Sequence, residues 1–274
     1  MTTLRLGLIG DNIAASRAPA LHEQAGRLAG LSVRYDRLIP REERLDFDAL
    51  FAACPGRGYA GLNITYPYKE RAAAKVRVED PAVGRLGAVN TVIFGAEGPR
   101  GFNTDYSGFI AAYRAARDSA APGPVCMVGA GGVGRAVAFG LLTLGLSDLR
   151  LVEREPAKAE ALAAALRAAS PALAVTVTVD AGAGAHGAAG LVNCTPVGMV
   201  GYEGTPLPRP AMAGAAWAFD AVYTPVETEF LRDAAAEGLA IISGYELFFH
   251  QGVDAFRLFA GREVDQTELR AGLA

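Results

Sequence analysis

Apolar positions along the chain fall into short strand-like runs separated by stretches with helical spacing. Leu4–Ile9, Val33–Ile39, Tyr59–Thr65 and Val89–Phe94 are compact, often β-branched runs that predict strands. Between the first two, Pro19 opens a helix with Leu21, Ala25, Leu28 and Ala29 on one face, ended by Gly30. A short helix is expected over Asp46–Ala53, and Pro67 is expected at another helix start. Asn103-Thr104-Asp105 caps a helix running to Arg117, because Asn and Thr side chains accept bonds from free first-turn amides.

A linker-like break, Ser119-Ala-Ala-Pro-Gly-Pro124, precedes a second series. Strands are expected at Val125–Val128, Leu149–Glu153, Ala174–Val179, Leu191–Cys194 and Trp217–Val222. Helices are expected at Val133–Gly145, Pro156–Ser170, Val226–Glu237, Tyr245–Ala260 and Thr267–Leu273. Strands alternating with helices read as an α/β fold built on largely parallel sheets. The predicted organisation is an N-terminal α/β domain over residues 1–104, then a nucleotide-binding domain. The final long helix fits either domain on pattern alone.

Composition narrows the function classes. The 274 residues carry 26 Lys+Arg against 29 Asp+Glu, a net charge of −3, which lacks the clustered positive field that nucleic acid requires. With 51% hydrophobic and 20% charged residues the chain has ample material for a core. No apolar run reaches the ~20 residues that span a bilayer. The N-terminus enters a strand without a signal-peptide layout, so a cytoplasmic protein is expected. Cys54, Cys126 and Cys194 are too scattered for a disulfide framework, and no metal site is expected.

The strongest local signal is Gly129-Ala130-Gly131-Gly132-Val133-Gly134, a G-x-G-x-x-G loop directly after one strand and before a helix. In that setting Gly129 serves the tight turn, Gly131 the approach of a pyrophosphate, and Gly134 helix–strand packing. The helix N-terminus offers free N–H groups to phosphate. Glu153 closes the next strand near the ~20-residue spacing of a ribose-binding acid. A carboxylate there accepts bonds from ribose hydroxyls and repels a 2′-phosphate, which favours NAD; the adjacent Arg154 suits NADP.

Two further segments, Gly61-Leu-Asn-Ile-Thr-Tyr-Pro-Tyr-Lys69 and Gly101-Phe-Asn-Thr-Asp105, put polar side chains where strands give way to helices. Lys69 near a helix start opposes the helix dipole, a local conflict that marks function. His22, His186 and His250 read as packing or surface residues.

These segments, with Gly7-Leu-Ile-Gly10, Ser16-Arg-Ala-Pro19, Gly87-Ala-Val-Asn-Thr91, Asn193-Cys-Thr-Pro-Val-Gly198, Asp220-Ala-Val-Tyr223 and Gln251-Gly-Val-Asp-Ala-Phe256, occur in the order and spacing of a known family. The chain resembles the shikimate dehydrogenase family, which includes quinate dehydrogenases, over essentially its whole length. The resemblance implies a substrate domain over 1–104 with 245–274 packing back onto it, and an NAD(P)-binding Rossmann-like domain over 105–244. It implies that Lys69 and Asp105 form the catalytic pair, and that Ser16, Asn63, Thr65, Asn90, Tyr223 and Gln251 bind substrate. The cofactor residues it implies are Gly129, Ala130, Gly131, Gly132, Val133, Gly134, Glu153, Arg154, Asn193, Thr195, Val222 and Gly244.

The expected activity is reversible hydride transfer between NAD or NADP, with NAD favoured, and a ring hydroxyl of shikimate or quinate. In biosynthesis that step belongs to the shikimate pathway to aromatic amino acids. Three departures bear on the substrate. Ala18 stands where the family usually has Ser or Thr, which implies that one bond to the substrate carboxylate is missing or is supplied by Arg17 or a water. Glu153-Arg154-Glu155 replaces Asn-Arg-Thr of NADP-preferring members, and Gly244-Tyr-Glu-Leu-Phe-Phe249 replaces a smaller, Met-containing run. The alternatives are a member acting on another cyclic hydroxy acid and a non-catalytic dinucleotide-binding sensor. Retention of Lys69 and Asp105 speaks against the sensor. The sequence leaves monomer and homodimer open; the expected partner is a small shikimate-like molecule, with neither nucleic acid nor membrane.

Overall fold

The computed structural model describes residues 3–273. Backbone contacts divide the chain into two units: one runs to Thr104 and resumes at Gln251, and the other is Asp105–His250.

The first unit contains β1 (Leu4–Ile9), α1 (Ala18–Leu28), β2 (Val33–Leu38), α2 (Pro40–Glu43), α3 (Phe47–Ala53), β3 (Gly61–Ile64), α4 (Lys69–Ala73), α5 (Pro81–Leu86), β4 (Thr91–Gly95) and β5 (Gly98–Phe102). Its five-stranded sheet has the order β2-β1-β3-β4-β5. β1, β2 and β3 are parallel, whereas β4 runs antiparallel to β3 and β5 antiparallel to β4. The expected parallel character holds for β1, β2 and β3, and β4 and β5 add an antiparallel edge. The returning strand β5 is Gly98-Pro-Arg-Gly-Phe102, a run without β-branched residues that no strand pattern marks. Pro67 also differs from expectation: the Tyr66–Pro67 peptide is cis, and the helix begins at Lys69.

Alternation along β1 sends Leu6 and Leu8 to one face with Ile13, Tyr35 and Ile39, and Ile9 to the other with Leu38, Phe47, Leu50 and Leu62. α1 covers the first face, burying Leu21, His22, Ala25 and Gly26 at helical spacing. Register places Arg37, Leu8, Asn63, Thr91 and Phe102 in one row across the sheet.

The second unit holds β6 (Val125–Val128), α7 (Gly132–Thr143), β7 (Asp148–Val152), α8 (Pro156–Ala169), β8 (Ala174–Thr178), α9 (Ala181–Ala185), β9 (Gly190–Asn193), β10 (Trp217–Asp220), α10 (Glu229–Ala236) and β11 (Ala240–Ile242). Most of α6 (Thr104–Arg117) and the start of α11 (Gly244–Ala260) belong to it, and α12 (Gln266–Ala271) follows in the first unit. Its six strands are all parallel, in the order β11-β10-β9-β6-β7-β8. This is the doubly wound arrangement, in which the order reverses between β6 and β9 and leaves a crevice at the strand ends. Phe109 meets Phe219 edge-on at 5.0 Å, and Tyr113 meets Trp217 at 5.1 Å, fastening α6 to β10. Edge-on aromatic pairs of this kind contribute about 0.5–1.5 kcal/mol beyond burial. Among the described residues no helix is long and apolar enough to cross a membrane.

Candidate functional site

In the first unit, Asn63 and Thr91 of the cross-sheet row join Tyr35, Asn90 and Thr104 in one hydrogen-bonded chain. The Tyr35 hydroxyl donates to Asn63 Oδ1 at 2.8 Å, and Asn63 Nδ2 donates to Thr91 Oγ1 at 3.0 Å and to the Asn90 carbonyl at 3.3 Å. Asn90 Oδ1 accepts from the Thr104 backbone N–H at 2.7 Å and from the Thr91 hydroxyl at 3.0 Å. Thr104 Oγ1 in turn lies 3.5 Å from Gln251 Oε1. Asn63, Asn90, Thr91 and Thr104 are all buried, where unpaired polar groups would each cost about 1–3 kcal/mol.

The two asparagines differ in what they have left to offer. Asn63 has both amide hydrogens engaged inside the protein, which ties β3 to β4. Asn90 has its oxygen fixed by a backbone N–H, which can only donate, so the amide orientation is determined. Among the described residues nothing accepts from Asn90 Nδ2, which leaves two donors for a ligand. Asn90 is further held through its backbone, which accepts from Ile64 and donates to Phe102.

His22 lies fully buried beneath this chain, stacked on Tyr35 at 4.8 Å and flanked by Phe256 and Phe259. Burial lowers its pKa to about 3, against a smaller opposing pull from Asn63, so the ring is neutral. Sequence reasoning gave His22 no link to the site; only the fold brings it below Asn63.

Ser16 and Thr65 sit in the loops that follow β1 and β3. The Ser16 hydroxyl oxygen accepts from the Ala18 N–H at 3.2 Å, and its carbonyl accepts from Arg37 Nη2 at 2.7 Å. The Thr65 N–H donates to the Ile9 carbonyl at 2.9 Å, which fixes that loop to the end of β1. Lys69 opens α4, and its carbonyl accepts from the Val89 N–H at 3.0 Å, tying the helix to the segment that carries Asn90.

In the second unit, Asp105 stands buried in the first turn of α6. The glycine loop lies between β6 and α7. Gly129 has φ +101°, and a Cβ there would meet the Cys194 carbonyl at 2.8 Å; a Cβ on Gly134 would fall 2.3 Å from the Gly129 carbonyl. Gly131, by contrast, faces open space and caps α7 with no side chain on the free amides. A tight turn, an open approach and an uncapped helix N-terminus fit the pyrophosphate of a dinucleotide.

Glu153 stands beside that loop. Its carboxylate accepts from the Ala130 N–H at 2.9 Å and the Glu155 N–H at 3.1 Å. Burial pushes its pKa up, but the backbone donors of Ala130, Glu155 and Arg154 outweigh this and hold it below the ordinary glutamate range. Arg154 is exposed, and among the described residues no carboxylate pairs with it.

Asn193 and Thr195 form a compact turn at the end of β9. Thr195 donates through both N–H and hydroxyl to Asn193 Oδ1, at 3.0 and 2.7 Å, while Asn193 Nδ2 donates to Asp220 Oδ1 at 2.9 Å. Asp220 ends β10 and anchors Val222 and Thr228 as well. Tyr223 stacks on Phe248 at 5.2 Å. A Cβ on Gly244 would lie 2.4 Å from the Val222 carbonyl, so α11 starts in contact with the end of β10. The expected site residues thus fall into two groups, Ser16, Asn63, Thr65, Lys69, Asn90 and Gln251 in the first unit and Asp105, Tyr223 and the cofactor residues in the second.

Comparison with known proteins agrees with this architecture. Residues 8–92 match a family model described as the shikimate dehydrogenase substrate binding domain. A quinate/shikimate dehydrogenase (NAD(+)) of Corynebacterium efficiens is 40% identical, covering 98% of this chain and 97% of the relative. The solved structure of quinate dehydrogenase from Corynebacterium glutamicum in complex with NAD has a TM-score of 0.92 at 37% identity, with 98% of each chain covered. That of shikimate 5-dehydrogenase from Thermus thermophilus in complex with NADP(H) and shikimate has a TM-score of 0.85 at 35% identity, again over 98% of each chain. Relatives this similar over the full length leave one assignment: the chain belongs to the shikimate dehydrogenase family.

Proposed function

We propose that this protein is an NAD(P)-dependent dehydrogenase that interconverts a ring hydroxyl and ketone of shikimate or quinate. The unit ending at Thr104 and resuming at Gln251 binds the ring acid, and Asp105–His250 binds the dinucleotide. A dinucleotide held by its pyrophosphate at the glycine loop would supply, through its nicotinamide, the hydride acceptor in one direction and the donor in the other. Gly129–Gly134 receive the pyrophosphate, Glu153 the ribose hydroxyls, and Asn193, Thr195, Val222 and Gly244 line the nicotinamide end.

Lys69 and Asp105 handle the proton of the reacting hydroxyl, accepting it on oxidation and returning it on reduction. Asn90 Nδ2, Gln251, Thr65 and the Ser16 hydroxyl hold the ring substituents, with Tyr223 beside them and Asn63 setting the geometry. A polyhydroxylated acid needs many fixed hydrogen-bond partners and few apolar walls. The observation that carries this reading is the Asn63–Asn90–Thr104 chain, a buried polar network that ends in an oriented, unspent amide.

A cytoplasmic enzyme acting on a small molecule fits this reading, and the net charge of −3 speaks against nucleic acid as a partner. Steady-state rates on shikimate and quinate, each with NAD and NADP, test the proposal. Turnover with at least one pairing is expected, and inactivity with all four refutes it. Ala18 and the Tyr245-Glu246 run, which depart from the family's usual residues, prompt a second reading in which another cyclic hydroxy acid is the better substrate.

A further inference from the structure

We infer that Arg37 is the cation that receives the substrate's carboxylate, a role that deepens the dehydrogenase reading above and rests on it. Arg37 lies at the C-terminal end of β2, in the same cross-sheet row as Asn63 and on the face that carries Tyr35. Its Nη2 donates to the Ser16 carbonyl at 2.7 Å, and its charge acts on the Tyr35 hydroxyl, whose partner is Asn63. One guanidinium therefore touches the Ser16 loop and borders the polar chain of the site.

The charge of this guanidinium is uncommitted. Arg37 is exposed, and among the described residues no carboxylate pairs with it. The adjacent Asp36 is taken by Arg5, Arg34 and the Tyr59 hydroxyl, and Asp11 accepts from Tyr68. Arg17, the other arginine beside Ser16, donates from Nη2 to the Leu273 carbonyl at 2.5 Å.

The loop itself is short of donors. Ser16 Oγ accepts from the Ala18 N–H, so its own proton remains available, but Ala18 adds only a methyl group. A carboxylate has two oxygens and about four acceptor positions, which one hydroxyl leaves largely unmet. A guanidinium has five N–H donors, and with one held by the Ser16 carbonyl the remaining fork matches a carboxylate in charge and geometry. Anchoring on Ser16 also reduces the side-chain freedom lost on binding.

The test compares wild type, Arg37→Gln and Arg37→Lys, using calorimetric titration with shikimate and with quinate, and steady-state rates on each acid and its methyl ester. Hydrogen bonds to a charged group support an expected weakening of roughly tenfold or more for the acid in Arg37→Gln, with kcat and dinucleotide affinity preserved. The ester, which carries no charge, is expected to change less than threefold, and Arg37→Lys to recover part of the loss. Equal losses on acid and ester would show that Arg37 only holds the Ser16 loop, and an unchanged acid affinity would also overturn the inference. A wild type that neither binds nor turns over either acid would instead overturn the functional reading, and this inference with it.

Discussion

Asn193 Nδ2 donates to the buried carboxylate of Asp220 at 2.9 Å, joining the ends of β9 and β10 at the crevice of the parallel sheet. The other Asp220 oxygen accepts from the Thr228 hydroxyl at 2.6 Å, and Thr228 caps α10. Burial raises the Asp220 pKa to about 6, with the bonds from Thr228, Val222 and Asn193 only partly opposing it.

A carboxyl group whose pKa is higher folded than unfolded makes the folded state the better proton binder. Its contribution to stability is greatest at low pH and declines as pH rises from about 4 to 6. A shift of roughly two units corresponds to ~3 kcal/mol over that window. Asp220→Asn keeps the oxygen that serves Asn193 and Val222 and has no charge to bury. Relative to wild type it is expected to gain stability between pH 4 and pH 7.5, read by urea denaturation at both values. A constant difference between the two proteins would show that Asp220 does not titrate in this range.

Lys69 and Asp105 are expected to behave as one proton-transfer unit. Lys69→Ala should lower turnover about 10²–10⁴-fold while dinucleotide binding stays nearly intact, and Asp105→Asn should fall in the same range. The double variant should lose much less than the product of the two, as groups acting together do. Near-normal turnover in Lys69→Ala would remove the mechanism.

Cofactor preference should follow Glu153. Its backbone-held carboxylate disfavours a 2′-phosphate by on the order of 1–3 kcal/mol, so catalytic efficiency should be higher with NAD. Arg154→Ala should then leave NAD kinetics unchanged and depress NADP further. A wild type that prefers NADP would show that the exposed Arg154 governs the pocket.

Ala18→Ser adds a hydroxyl one turn-step from Ser16. A well-made bond to a carboxylate contributes about 1.5–3 kcal/mol, so shikimate affinity should rise by something approaching tenfold. An unchanged dissociation constant in a calorimetric titration would place the carboxylate away from the start of α1.

The second unit was almost fully legible before folding because its signals are local. The glycine spacing, the strand before it and Glu153 all lie within one βαβ stretch, and to the expected elements the structure adds short ones, among them α9 and β11. The first unit was less transparent. β5 has Gly and Pro where strands prefer branched residues, and its place depends on pairing with β4, a contact that no window along the chain contains. The same limit applies within the site. Family motifs marked Asn63 and Asn90 alike, but which amide is spent depends on Tyr35, Thr91 and Thr104 arriving from other strands. Arg37 carried no motif, and the missing hydroxyl at Ala18 pointed in the sequence to Arg17 or a water instead.

The fixed amide of Asn90 makes recognition directional. With its oxygen saturated and unable to exchange places with its nitrogen, the side chain presents hydrogens and nothing else. A ligand group facing it must bring lone pairs: a hydroxyl can comply by turning its own hydrogen away, and a ketone complies without adjustment. A protonated amine on the same ring position has no lone pair to give and would set donor against donor. On the proposed reading of Asn90 as a substrate-binding residue, amino-substituted rings are expected to be screened from their oxygen counterparts by polarity, at a position where the two are nearly identical in size.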